Sequence, residues 1–234
     1  MALTVSNVNG GYGPVPVIHD VSIDVADGES VALLGRNGSG KTTLLRGLMG
    51  MLPRCRGRVS LDSIELADAP TYRRARLGLA YVPQGREIFP GLTVEENLRL
   101  GHTLAGRSMR SAIPGDVLAH FEWMHDRMSQ RGGTLSGGQQ QMLAIARVLI
   151  ADPKVILLDE PTEGLAPAVV DELAELLGRV ARERRLGVLV VEQNIGFALA
   201  LAGRGYIMEK GTVVWSGDRD ALSDDAVIGQ YLAI

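Results

Sequence analysis

A chain of 234 residues, 46% of them hydrophobic and 22% charged, is long enough to bury one or two cores. Its formal net charge of -3 excludes a nucleic-acid binder that works by neutralising phosphates over a broad basic face. Cys55 is the single cysteine, which excludes an intrachain disulfide and makes the cytosol the natural compartment.

In chain order, residues 3–8 read as a first strand rather than a secretory leader, because no basic segment precedes a long apolar run. No window approaches the roughly 18 to 20 apolar residues needed to cross a bilayer, so any role at a membrane passes through a partner. Strands are predicted at 17–25, 30–34, 58–61 and 79–82, and again at 155–158, 188–191, 204–208 and 212–216. Helices are predicted at 41–51, 138–150, 169–184 and 195–201. The later alternation of strand and helix implies a mainly parallel α/β sheet, and the early segments joined by short turns imply an antiparallel β portion. Residues 87–133 carry no strand signal; 93–100 and 116–128 read as helices, separated by Pro114-Gly115. The expected organisation is one α/β unit, built from 1–86 and 134–234, with a helical subdomain inserted at 87–133.

Gly35-Arg36-Asn37-Gly38-Ser39-Gly40-Lys41-Thr42-Thr43 follows the apolar run 31–34 and opens a helix. Strand, glycine-rich loop and helix start together aim free amides and the positive end of a helix dipole at one point, which suits a polyphosphate. Lys41 can reach β- and γ-phosphates, and the Thr42 hydroxyl can ligate Mg²⁺. The absence of an N-K-x-D element favours ATP over GTP.

The run Val155-Ile156-Leu157-Leu158 ends in Asp159-Glu160. In a parallel sheet that end sits beside the phosphate loop, where Asp159 would hold Mg²⁺ and Glu160 would polarise the attacking water. Alone, such a strand end is usually just solvated; behind the phosphate loop it reads as a Walker B element. Leu135-Ser136-Gly137-Gly138-Gln139-Gln140-Gln141 makes a second helix start suited to an anion, with Ser136 as the N-cap in the simpler reading.

Taken together, Gly35 to Thr42, Leu158-Asp159-Glu160 and the LSGGQ run Leu135 to Gln139 resemble the ATP-binding cassette (ABC) ATPases over essentially the whole chain. The resemblance implies two cassettes paired head to tail, with each ATP between the Walker motifs of one and the Ser136, Gly137, Gly138 and Gln139 positions of the other. It further implies that Tyr12 stacks on adenine, that Gln84 senses Mg²⁺ and the attacking water, and that Glu163-Gly164-Leu165-Ala166-Pro167 occupies the D-loop, without the usual Ser-Ala-Leu-Asp. Gln193 stands where most of the family places a switch histidine. A glutamine can hydrogen-bond a γ-phosphate but does not titrate near neutral pH, so either it substitutes or this site hydrolyses slowly.

Val191-Glu192-Gln193-Asn194, with the runs from Pro83 to Leu98 and Arg131 to Gln141, looks like the smaller ATPase subunits of bacterial branched-chain amino acid importers and the related urea and short-amide importers. That resemblance implies a heterodimer with a sister ATPase, two membrane permeases, a periplasmic solute-binding protein and residence at the cytoplasmic face of the inner membrane. Exporters, lipid-extraction machines and soluble or regulatory cassettes are the rival classes. His19, His102, His120 and His125 form no ligand cluster. Met49, Met51, Met142 and Met208 read as core, Phe121 and Trp123 as core or partner groove, and Arg73-Arg74 and Arg182 to Arg185 as solvated helix ends.

Overall fold

The computed structural model describes residues 2–232. The chain runs β1 (Leu3–Gly11), β2 (Ile18–Val25), β3 (Ser30–Leu34), α1 (Lys41–Leu48), β4 (Arg54–Leu61), β5 (Ile64–Glu65), α2 (Thr71–Leu77) and β6 (Leu79–Val82). Helices α3 (Val94–Leu104) and α4 (Gly115–Leu118), then 3₁₀ turns at Glu122–Arg127 and Gly132–Thr134, lead to α5 (Gly137–Leu149). The remainder is β7 (Val155–Asp159), α6 (Pro167–Arg184), β8 (Gly187–Glu192), α7 (Ile195–Leu201), β9 (Arg204–Glu209), β10 (Thr212–Asp218), α8 (Arg219–Leu222) and α9 (Asp225–Tyr231).

Two sheets result. One is antiparallel, in the order β2-β1-β4-β5; the other runs β10-β9-β3-β8-β7-β6 and is parallel except for the β10–β9 edge. The central strands are uninterrupted apolar runs because both faces are covered. Their alternation divides the core in two. Ala32, Leu34, Ile156, Leu158, Val188 and Val190 face the layer containing α5, α6 and α7. Val31, Leu33, Val155, Leu157, Leu189 and Val191 face α1 and the antiparallel sheet. Such two-sided burial, worth about 1.5–3 kcal/mol for each large apolar side chain, fixes the register, since a one-residue slip would exchange the two sets.

Several sequence expectations change. The helix read at 116–128 stops at Leu118, where burial of Phe121 in a non-helical conformation (φ -132°, ψ 54°) turns the chain into a 3₁₀ segment. Helix α1 ends short of Met51: Gly50 at φ 69° lets the Met51 amide bond back to the Arg46 carbonyl, and Met51 is left 46% exposed rather than in the core. Strand β4 begins four residues early because pairing of Gly11 with Arg54 carries it through exposed arginines that no alternation marks. Helices α2, α8 and α9 were not expected, being short and mostly exposed.

Arg74 is the clearest reversal. It is not solvated but 4% exposed, and its guanidinium donates to the carbonyls of Ala69, Gly47, Leu48 and Ala67 at 2.7, 3.2, 2.6 and 3.0 Å. Two of those carbonyls belong to the last turn of α1, so Arg74 supplies donors that the helix end lacks. Burial lowers its pKa from the ordinary arginine value.

Candidate functional site

Parallel strands deliver their C-terminal loops to one edge of the sheet. Because β8 lies between β3 and β7, with β6 beyond, the loops carrying Gly35, Gln193, Glu160 and Gln84 are neighbours. Gly35 passes so close to the Met208 carbonyl that a Cβ would overlap it, which explains glycine at the first loop position. At Gly38, φ is 76° and nothing lies within 4 Å of where a Cβ would stand, so the loop opens outward there. The first helical bond of α1 is Leu44 N–H to the Gly40 carbonyl, leaving the Lys41, Thr42 and Thr43 amides without helical acceptors. Ser39 Oγ is buried with no partner.

Lys41 is 4% exposed; its ammonium donates to the carbonyls of Gly35 at 2.7 Å and Arg36 at 3.2 Å and lies 3.4 Å from Glu160 Oε1. Asp159, also buried, accepts from Thr42 Oγ1 at 2.9 Å on one oxygen and from the Tyr81 hydroxyl at 2.9 Å on the other. Burial raises the Asp159 pKa, and the Tyr81 and Thr42 hydrogen bonds oppose that rise. Burial and the adjacent carboxylate push the Tyr81 phenol upward, so it stays a proton donor.

Glu160 adopts a left-handed backbone conformation, φ 46°, with its amide bonded to the Val191 carbonyl at 2.9 Å. Such a conformation in a non-glycine residue costs about 1–3 kcal/mol and clusters at functional sites. Here it turns the carboxylate towards Gln193, whose Nε2 donates to Glu160 Oε1 at 3.1 Å and to Asn37 Oδ1 at 2.7 Å. Gln84 Nε2 donates to Glu160 Oε2 at 3.4 Å. These side chains line a polar cavity of about 270 Å³.

The sequence reading missed three residues here. Glu192, 2% exposed, accepts from the Thr162 amide and hydroxyl at 3.0 and 2.7 Å and from the Gln193 and Asn194 amides at 3.0 and 3.1 Å. It locks the segment after Glu160 to the loop carrying Gln193. Tyr81, inside the strand read at 79–82, and Arg46, inside the helix read at 41–51, carried no predicted role, although Tyr81 reaches Asp159 and Arg46 Nη1 donates to the Tyr12 hydroxyl at 3.3 Å. No local pattern signals these contacts, which join positions 78 and 34 apart.

Ser136, Gly137, Gly138 and Gln139 do not line the cavity around Glu160. They open α5, where Ser136 Oγ accepts from the Gln139 amide at 3.3 Å and Gln139 Oε1 accepts from the Ser136 amide at 3.1 Å, a capping box. Tyr12 is 52% exposed and presents its ring at the surface.

Chemically, free amides, one buried ammonium and two adjacent carboxylates suit a polyphosphate that carries a hard cation. Thr42 and Asp159 offer only oxygen donors, and no group of three His, Cys, Asp or Glu capable of caging a metal occurs among the described residues. That donor set fits Mg²⁺, which binds through one or two protein oxygens plus substrate phosphates.

The sequence pattern of the ABC transporter family matches residues 18–163. The chain is 42% identical to the high-affinity branched-chain amino acid transport ATP-binding protein BraG of Pseudomonas aeruginosa, over 91% of each chain. It is 37% identical to the lipopolysaccharide export system ATP-binding protein LptB of Escherichia coli, over 98% of this chain and 96% of that one. Among solved structures, the post-hydrolysis dimer of the cassette MJ0796 with ADP and phosphate superposes with a TM-score of 0.79 at 27% identity, over 93% of this chain and 98% of the other. Phosphate loop, adjoining carboxylates, capped signature helix and these likenesses agree: the chain belongs to the ABC transporter family, as an ATP-binding subunit that hydrolyses ATP.

Proposed function

We propose that the chain powers a bacterial importer of branched-chain amino acids, as the smaller of two ATPase subunits paired head to tail. The observation that carries the catalytic part is the convergence of Lys41, Gln84 and Gln193 on the Glu160 carboxylate. Gly35, Asn37, Gly38, Ser39, Gly40, Lys41, Thr42 and Thr43 hold the phosphates, and Thr42, Asp159 and Gln84 hold Mg²⁺, which screens the phosphate charge. Glu160 accepts a proton from the attacking water while Gln84 and Gln193 orient it. Tyr12 receives adenine, and Ser136, Gly137, Gly138 and Gln139 close over the ATP of the partner cassette.

The solute class rests on the 42% identity to BraG. A groove of about 1010 Å³ between the α/β core and the helical segment is lined by Met51, Tyr72, Phe89, Leu104 and Arg147. Its exposed apolar side chains suit a permease segment, and the subunit is carried to the membrane surface by that contact. No helix among the described residues is long and apolar enough to cross a membrane. A second reading, lipopolysaccharide export, rests on the likeness to LptB.

The test has two arms. Glu160→Gln should retain ATP and accumulate as a closed dimer on size exclusion with Mg²⁺ and ATP; hydrolysis at the wild-type rate would overturn the base assignment. The complex assembled with its permeases in proteoliposomes should take up labelled leucine, whereas uptake of urea alone, or extraction of lipopolysaccharide, would overturn the solute assignment.

A further inference from the structure

Arg46 sits on the exposed side of α1, and its Nη1 donates to the Tyr12 hydroxyl at 3.3 Å. Tyr81 bonds Asp159 Oδ2 at 2.9 Å, and Asp159 Oδ1 accepts from Thr42 at 2.9 Å. Asp159 thus joins Tyr81 on β6 to Thr42 at the start of α1. The polarity is forced: an ionised carboxylate only accepts, so the single Tyr81 proton goes to Asp159.

We infer that Tyr81 is a positioning residue that holds the Asp159 carboxylate for the divalent cation. The inference deepens the nucleotide-site reading above and rests on it. Asp159 sits at the end of β7 and is buried, with Oδ2 directed at β6, where Tyr81 pairs opposite Leu157. The phenol occupies Oδ2 and pins the carboxylate plane, so Oδ1, on the Thr42 side, is the oxygen presented to the cation. Carboxylates that serve a metal depend on such outer hydrogen bonds for orientation. Tyr81 also lines the groove assigned to the permease, so an occupant there touches the residue that orients Asp159.

The test is binding, not turnover. A fluorescent ATP analogue is titrated in EDTA and then against Mg²⁺, with Mn²⁺ electron paramagnetic resonance as a second readout. Tyr81→Phe should keep its EDTA affinity within about twofold and raise the cation midpoint about tenfold, the scale of lost outer-shell support. Tyr81→Met, which removes the hydroxyl but fills the site with a flexible apolar side chain, should shift the midpoint in the same direction by about tenfold, and it keeps the inference testable if Tyr81→Phe folds poorly. An unchanged cation midpoint in both variants, or an equal loss of affinity with and without cation, would overturn the positioning role. Failure of the wild-type protein to bind the analogue at all would instead overturn the nucleotide-site reading itself.

Discussion

Gln193 Nε2 donates to Glu160 Oε1 at 3.1 Å, so the glutamine already contacts the carboxylate proposed as the general base. A hydrogen bond to a charged group contributes about 1.5–3 kcal/mol, and Gln193→Ala should therefore slow hydrolysis by about tenfold to a hundredfold with ATP binding retained. Phosphate release under saturating ATP reads this directly; an unchanged rate would mean Glu160 needs no such partner.

A glutamine does not titrate, so position 193 contributes nothing to the pH profile of the wild-type protein. Gln193→His should introduce an extra inflection near the ordinary histidine value of about 6.5. Identical rate profiles for the two proteins between acid and neutral pH would show that the side chain at 193 does not act in turnover.

Glu192 accepts four hydrogen bonds from Thr162, Gln193 and Asn194. An amide there turns an NH₂ group towards two of those donors, at about 1–3 kcal/mol for each buried group left unsatisfied. Glu192→Gln should lower Tm by about 4–8 °C and raise amide exchange in both connected loops together. Faster exchange in one loop alone would mean that the carboxylate does not couple them.

Arg74 serves four carbonyls, two of them at the end of the helix that follows the phosphate loop. Arg74→Leu should cost about 3–5 kcal/mol in urea unfolding, and Arg74→Lys should recover only part, because an ammonium lacks the planar fork. Full recovery by lysine would reduce the role of Arg74 to its charge.

His102 is buried, with both ring nitrogens lacking a hydrogen bond of proper geometry although the Ser111 and Ala112 backbone lies near. Burial, then the Arg107 and Arg99 charges, depress its pKa below the unfolded value. A depressed value means the unfolded chain binds the proton first. The stabilising contribution is therefore complete above about pH 6.5 and is lost as pH falls towards the folded value. His102→Leu should flatten the loss of urea stability between pH 7.5 and 5.5, both chosen at roughly one unit either side of that value; parallel curves for the two proteins would contradict this.

The sequence alone determined the parallel α/β core, because runs such as 31–34, 155–158 and 188–191 are apolar throughout and only two-sided burial accommodates them. It also marked the phosphate loop, the Asp159-Glu160 pair and the Ser136 helix start, where glycine placement and adjacent charges are local properties of the chain. Only the tertiary structure decided what those residues meet. The left-handed turn at Glu160, the hold of Glu192 on Thr162 across 30 positions, the Tyr81 bond to Asp159 and the burial of Arg74 all join groups distant in sequence. Periodicity reports which face of an element is covered, but a hydrogen bond between loops depends on strand order, and strand order is fixed only when the whole sheet packs.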